Sequence, residues 1–253
     1  MTRRRFYAPP DAFTADHQSL TLDADEARHL RDVLRLKSGE HVHVFDGVGR
    51  EFECSIEDSH KDRARLKIIS EVAPFRRESS LHLTLAVALL KGEKFDLVVQ
   101  KATELGVIRI LPVTTRLADI RLRDETDALK RVTRWRRIAL EAAKQSGRAV
   151  VPEVSQPVSF STLMESTQLH GQRNALFSER EGQSFSEFRE SSLEHPQSIT
   201  ALVGSEGGWT DEEISLAREN DWNIVTLSGR MLRAETAAIT ATVLLQHTFG
   251  DLA

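Results

Sequence analysis

The chain has 253 residues, 40% hydrophobic and 28% charged, an ordinary balance for a globular protein of one large domain or two modest ones. A single cysteine, Cys54, excludes an internal disulfide framework; apolar runs such as Leu85 to Leu90 are far too short to span a membrane, and the charged start MTRRRFYAPP lacks a signal peptide's apolar stretch, so a cytoplasmic location is expected. The net charge of −4 is unevenly spread, with −2 over residues 1–75, +7 over residues 76–151 and −9 over residues 152–253.

Residues 1–73 read as β-rich. His41 to Phe45 alternates, Asp46-Gly47 signals a hairpin before the run Glu51 to Ile56, and Arg63 to Val72 gives another strand. One helix is expected over Ala24 to Leu34, where Ala27, Leu30, Val33 and Leu34 share a face. Short strands with one helix suggest a small barrel. Residues 74–80 are charged and polar, the composition of a linker.

From residue 81 the pattern changes. Leu81 to Leu90, apolar apart from His82 and Thr84, reads as a strand buried on both faces. A helix follows over Lys94 to Leu105, stopped by Gly106. Val107 to Val113 is the next strand. A long helix covers Ala128 to Ser146, with Val132, Trp135, Ile138, Ala139 and Ala142 as its apolar stripe and Arg131, Arg134, Arg137 and Lys144 largely off it. Strands are expected at Asn174 to Phe177, Ile199 to Val203 and Asn223 to Leu227. Thr210 with Glu213 forms a capping box that opens a helix, and Ala234 to Phe249 is the last helix. Such alternation predicts a parallel sheet covered on both faces, hence an α/β domain over 81–253.

Ligands in open parallel sheets bind at the carboxyl ends of the strands. Three expected strand-end loops carry unusual residues: Ser178-Glu179-Arg180; Gly204-Ser205-Glu206-Gly207-Gly208; and Ser228 to Thr236, which includes Arg230, Arg233 and Glu235. Glycines permit close backbone approach to a ligand. The middle loop is neither a Walker A loop nor the dinucleotide fingerprint. A central carboxylate, Glu206, is unfavourable for phosphate and suits hydroxyls, amines or a cation; S-adenosylmethionine offers all three. Spacing alone leaves open that the glycines merely turn the chain, and that an Arg–Glu pair merely locks the third loop. Thr236 or Glu235 is expected to cap the last helix. His41 and His43 share a strand face, but a third ligand at suitable spacing is lacking and no metal is expected. Cys54 reads as a small buried hydrophobe. The basic middle of the chain suits phosphate attraction, or is simply a solvated helix face.

These segments resemble, along essentially the whole chain, the RsmE-type ribosomal RNA uridine-N3 methyltransferases of the trefoil-knotted SPOUT superfamily. The resemblance is carried by Arg5-Phe6-Tyr7, RHLRDVLRLKSGE (28–40), VFDGVGREFE (44–53), KGEKFDLVVQKATELGV (91–107), RWRRIALEAAKQSGR (134–148), LVGSEGGWTDEE and LSGRMLRAETAAI. Ser205 departs from the usual proline, Ala234 from the usual threonine, and Leu227-Ser228 from Leu-Gly. The resemblance implies a PUA-like barrel over 1–73, a linker over 74–80 and a knotted α/β methyltransferase domain over 81–253. It implies S-adenosylmethionine bound by Phe177, Glu179, Gly204, Glu206, Gly207, Gly208, Leu227, Ser228, Gly229, Met231, Leu232 and Thr236. A homodimer acting on 16S ribosomal RNA, or on the assembled small ribosomal particle, is implied too.

Uridine N3 becomes nucleophilic only when its proton leaves, so the site must stabilise a uracil anion. Arg233, held by Glu235, is expected to do so, with Glu206 a candidate proton acceptor. Arg5, Arg31, Arg35, Arg134 and Arg137 are expected to grip RNA phosphates. Alternatives are a knotted methyltransferase acting on transfer RNA or a ribose hydroxyl, and a non-catalytic ribosome-assembly factor.

Overall fold

A computed structural model describes residues 3–166, 172–191, 196–227 and 229–252. Two compact units emerge: residues 1–78 with 143–151, and residues 79–142 with 152–253. The first unit therefore recruits nine residues that chain order had placed in the second.

In the first unit, β1 (Arg5–Tyr7), β2 (Ser19–Leu22), β3 (His41–Phe45), β4 (Glu51–Ser59) and β5 (Ala64–Val72) form one sheet in the order β1-β3-β4-β5-β2. Only the β1–β3 pairing is parallel. The expected first helix is shorter than its apolar spacing suggested. α1 (Ala24–Arg28), capped by the Asp23 carboxylate on the Glu26 N–H at 2.9 Å, loosens into a π turn over His29–Val33. That turn buries Leu30 but leaves Val33 66% exposed. Phe6, Leu20, Leu22, Ala27, Leu30, Val42, Val44, Cys54, Ile56 and Leu66 make the core. Burial pushes the Cys54 thiol up to about 12, as befits a small apolar filler.

Glu51 is fully buried and accepts hydrogen bonds from Arg3, from Arg5 and from the Phe75 N–H. Burial opposes its ionisation, but these donors outweigh that and hold its pKa below the usual carboxylate range. The expectation that Arg5 grips RNA is corrected here. Its side chain is only 6% exposed, spent on Glu51 and on the Arg148 carbonyl. Phe75 and Glu78, from the expected linker, are fixed in the same unit, Glu78 by the Arg148 guanidinium at 2.7 Å.

The second unit contains β6 (His82–Ala88), α2 (Lys94–Glu104), β7 (Arg109–Thr114), α3 (Glu125–Ser146, up to residue 142), β8 (Glu153–Val154), β9 (Val158–Ser159), α4 (Phe160–Ser166), β10 (Gln172–Phe177), β11 (Gln183–Ser184), α5 (Phe185–Glu190), β12 (Ser198–Val203), α6 (Asp211–Glu219), β13 (Asn223–Thr226) and α7 (Ala234–Phe249). Its strands form one wholly parallel sheet in the order β11-β13-β10-β12-β6-β7-β8, with β9 also on β7. Leu83 and Leu85 to Ala88 are fully buried, as expected for a strand covered on both faces, while His82 is exposed and Thr84 half-buried at its start. One layer packs Ala86, Leu176, Leu202 and Ile224 with Trp209, Ile214 and Ala217; on α7, Ala238, Ala241 and Leu245 are buried, and α7 packs on α2, β6 and β12.

β13 enters the sheet between β10 and β11, both earlier in the chain, before α7 returns to β6 and β12. This re-entrant path fits the knotted class that the resemblance implied. Among the described residues no helix is long and apolar enough to cross a membrane.

Candidate functional site

Strand register brings the three loops together. β10 lies between β12 and β13, with Phe177 opposite both Val203 and Val225. All three strands are parallel, so their carboxyl ends finish at one level and the loops that follow share one edge. There they line a cavity of about 450 Å³, walled by Phe177, Ser178 and Glu179; by residues 203–209; and by Leu227, residues 230–234 and Ala237. Cofactor-sized pockets span roughly 300–1,000 Å³.

The glycine loop is a tight turn. The Gly208 N–H donates to the Ser205 carbonyl at 3.0 Å, and Gly208 sits at φ +69, a backbone region L side chains rarely adopt. At Gly207 the requirement is space: a Cβ there would stand 2.7 Å from the Leu117 carbonyl oxygen. Both glycines thus keep side-chain bulk out of the wall. The cavity accordingly fits an adenosyl donor, with apolar surface from Phe177, Val203 and Leu232 for a flat ring and carboxylates from Glu179 and Glu206 for hydroxyl and cationic groups.

Trp209 was not foreseen. It is buried, its indole N–H donates to the Phe177 carbonyl at 2.9 Å, and its ring would lie 3.1 Å from a Cβ at Gly204. Arg180 fastens the same corner, donating to the Trp209 carbonyl and lying 3.7 Å from Glu179 and 3.5 Å from Asp211. The Ser205 hydroxyl is buried without a hydrogen-bond partner among the described residues.

Lys94 was also missed. Its ammonium meets the Glu206 carboxylate at 2.6 Å across 112 residues of chain, a separation that no local pattern signals. Partial burial works against ionised Glu206, but the Lys94 hydrogen bond and charge prevail and hold its pKa below the usual value. Glu206 is therefore a fixed negative charge and a weak base near neutral pH, which argues against its expected role as proton acceptor.

Of the expected donor-binding residues, Phe177, Glu179, Gly204, Glu206, Gly207, Gly208, Leu227, Met231 and Leu232 line the cavity, whereas Gly229 and Thr236 do not. Ser228 lies outside the described residues. Arg233 lines the cavity and Glu235 does not; no ion pair joins them, and Glu235 Oε2 is buried without a hydrogen-bond partner among the described residues. The expectation that Glu235 holds Arg233 is therefore corrected. The helix-cap expectation also fails: α7 starts with Arg233 at its N-cap position and no side-chain cap, Glu235 lying in the first turn, where the helix dipole favours an anion.

The expected phosphate-binding arginines divide. Arg31 is paired with Asp32 at 2.7 Å and donates to the His60 carbonyl. Arg134 is bonded to Asp96, which the Trp135 indole also reaches at 3.1 Å. Arg35, at φ +54, and Arg137 are exposed and make no ion pair among the described residues.

Residues 77–246 match a family model of the RNA methyltransferase domain, and residues 22–69 one of the RNA methyltransferase PUA domain. The chain is 33% identical to a ribosomal RNA small subunit methyltransferase E of Synechocystis sp., over 95% of this chain and 76% of that one. It is 31% identical to the Bacillus subtilis protein of the same name, over 88% of each. Among solved structures it resembles a Legionella pneumophila methyltransferase in complex with bound SAM (32% identity, TM-score 0.87) and a Neisseria gonorrhoeae ribosomal RNA small subunit methyltransferase E bound to S-adenosylmethionine (32%, 0.86). Both matches cover 100% of each chain.

Proposed function

The chain belongs to the RsmE family of ribosomal RNA methyltransferases, and on that premise we propose that it transfers a methyl group from S-adenosylmethionine to N3 of one uridine in 16S ribosomal RNA. The convergence of three strand-end loops on one cavity, with Arg230 and Arg233 on its wall, supports this reading most directly. When bound, S-adenosylmethionine supplies an electrophilic methyl on a sulfonium.

The chain's own residues do the rest. The glycine wall and Trp209 fix the donor's place, so that positioning carries much of the acceleration. Glu206 contributes a fixed negative charge. Arg233 forms no ion pair within the described residues, so its guanidinium is available to stabilise negative charge on the uracil oxygens as N3 loses its proton. Arg35 and Arg137 carry charge for RNA phosphates. The first unit is the RNA-holding module. The working form is a cytoplasmic homodimer, a reading supported by Leu97 on α2 and Val243 on α7, which leave apolar side chains about 40% exposed on two helices that pack together.

The test is tritium-labelled methyl transfer to small ribosomal subunits from cells lacking this protein, with nucleoside analysis. Label in 3-methyluridine is expected. Label in a ribose-methylated nucleoside, or in transfer RNA alone, would refute the assignment.

A further inference from the structure

Building on the donor-binding reading above, we propose that Lys94 is a positioning residue for the methyl donor, acting through Glu206. Lys94 opens α2, directly after the turn that follows β6, and reaches the centre of the glycine loop, where its ammonium stands 2.6 Å from Glu206 Oε1. Glu206 is a wall residue of the cavity and Lys94 is not. The lysine thus acts on the site from behind, fixing a carboxylate that would otherwise have a choice of rotamers and of protonation state.

The charges around this pair make the lysine necessary. Asp119, in the segment after β7, repels a charge on Glu206 and is itself held by Lys91 at 2.7 Å. Arg233 and Glu235, at the start of α7, act on Lys94 with opposite sign. Partial burial of Glu206 favours its neutral form. Lys94 hydrogen-bonds the ionised form and sets a positive charge beside it, with the Glu206 backbone N–H as a further donor. Without it, burial and Asp119 both favour a proton on Glu206, and a neutral acid loses its attraction for a cationic donor.

The sign of the pH effect follows. In the wild type the Glu206 pKa lies below the usual carboxylate value, so donor binding keeps this charge throughout the mildly acidic range. In Lys94→Met that pKa rises, so the charge is lost progressively as pH falls.

The experiment is calorimetric titration of the full chain with S-adenosylmethionine at pH 8, 7, 6 and 5.5, comparing wild type, Lys94→Met and Lys94→Arg. It requires no RNA. Lys94→Met is expected to bind about tenfold more weakly at pH 8, the scale of losing a hydrogen bond to a charged group, with a deficit that widens toward pH 5.5. Lys94→Arg is expected to recover most of the affinity and the wild-type pH dependence. Equal affinity for Lys94→Met, a deficit that does not change with pH, or no rescue by arginine would each overturn the proposal. Wild type that binds the donor but leaves 16S ribosomal RNA unmethylated would sink the proposed substrate and leave Lys94's role standing. Wild type that does not bind the donor would sink both.

Discussion

Replacing Gly207 by alanine tests whether the cavity wall is as tight as its geometry indicates. The added Cβ would stand 2.7 Å from the Leu117 carbonyl oxygen and 2.9 Å from the Leu117 Cβ. Close C–H···O contacts begin at about 3.3 Å, so the glycine loop or the segment around residue 117 must give by roughly 0.6 Å against the limit. Backbone torsion adds nothing, because Gly207 is not among the positive-φ glycines. Overpacking of this kind costs about 1–3 kcal/mol, which lowers the unfolding temperature by about 2–4 °C per kcal/mol in a unit of this size. Displacement of the wall should weaken S-adenosylmethionine binding about tenfold as well. Gly39→Ala is the control. Gly39 is in the first unit at φ +87 with nothing within 4 Å of its would-be Cβ, so it should lose about 1–2 kcal/mol through backbone conformation alone and leave donor affinity unchanged. Thermal unfolding and calorimetry read both quantities. Wild-type affinity and unfolding temperature in Gly207→Ala would refute the steric argument, as would an equal loss of binding in Gly39→Ala.

Arg233→Ala is expected to reduce methyl transfer by about 10²–10³-fold while donor affinity stays within a few fold; a variant fully active on small ribosomal subunits would remove Arg233 from the chemistry. Ser205→Ala deletes a buried hydroxyl that has no hydrogen-bond partner among the described residues and should raise the unfolding temperature of the donor-free protein, by the equivalent of about 1 kcal/mol; a fall would show that the hydroxyl has a partner. Cys54, its thiol pushed up to about 12 first by burial and then by Glu53, should resist alkylation at pH 8 in the native protein and react fully in denaturant, and stoichiometric native labelling would contradict this. Lys144→Met strands the buried Glu26 carboxylate, which it meets at 2.6 Å, and should destabilise the first unit by about 3 kcal/mol at pH 8. Burial already raises the Glu26 pKa while Lys144 lowers it. Without the lysine the folded-state value climbs further above the unfolded one, so proton uptake stabilises the folded variant as pH falls and the deficit shrinks. A deficit independent of pH would refute that linkage.

The sequence by itself determined the elements whose signals are local. The run from Leu85 to Leu90 had to lie in a buried strand, because no polar residue there marks a wet face. Thr210 and Glu213 form the capping box they spelled, and α7 spans Ala234–Phe249 as its apolar composition required, although the expected side-chain cap is not formed. Local patterning also exposed the three loops, since clustered glycines, carboxylates and arginines at strand ends are conspicuous wherever the strands lie. It missed β8, β9 and β11, two-residue strands too short for any period to register. It overextended the first helix, where apolar spacing could not reveal that the backbone widens into a π turn.

Only the tertiary structure decided which polar groups face one another. Arg5 and Arg233 look equally available in the sequence, yet one is spent on buried Glu51 and the other lines the cavity with no ion pair among the described residues, because burial and partners come from residues far along the chain. Glu235 is close to Arg233 in sequence but does not pair with it, whereas Lys94 and Glu206 meet across most of the second unit. Electrostatic pairing depends on distance in space. The parallel register that brings three loops to one edge is fixed by side-chain packing on both faces of the sheet, which no single segment encodes.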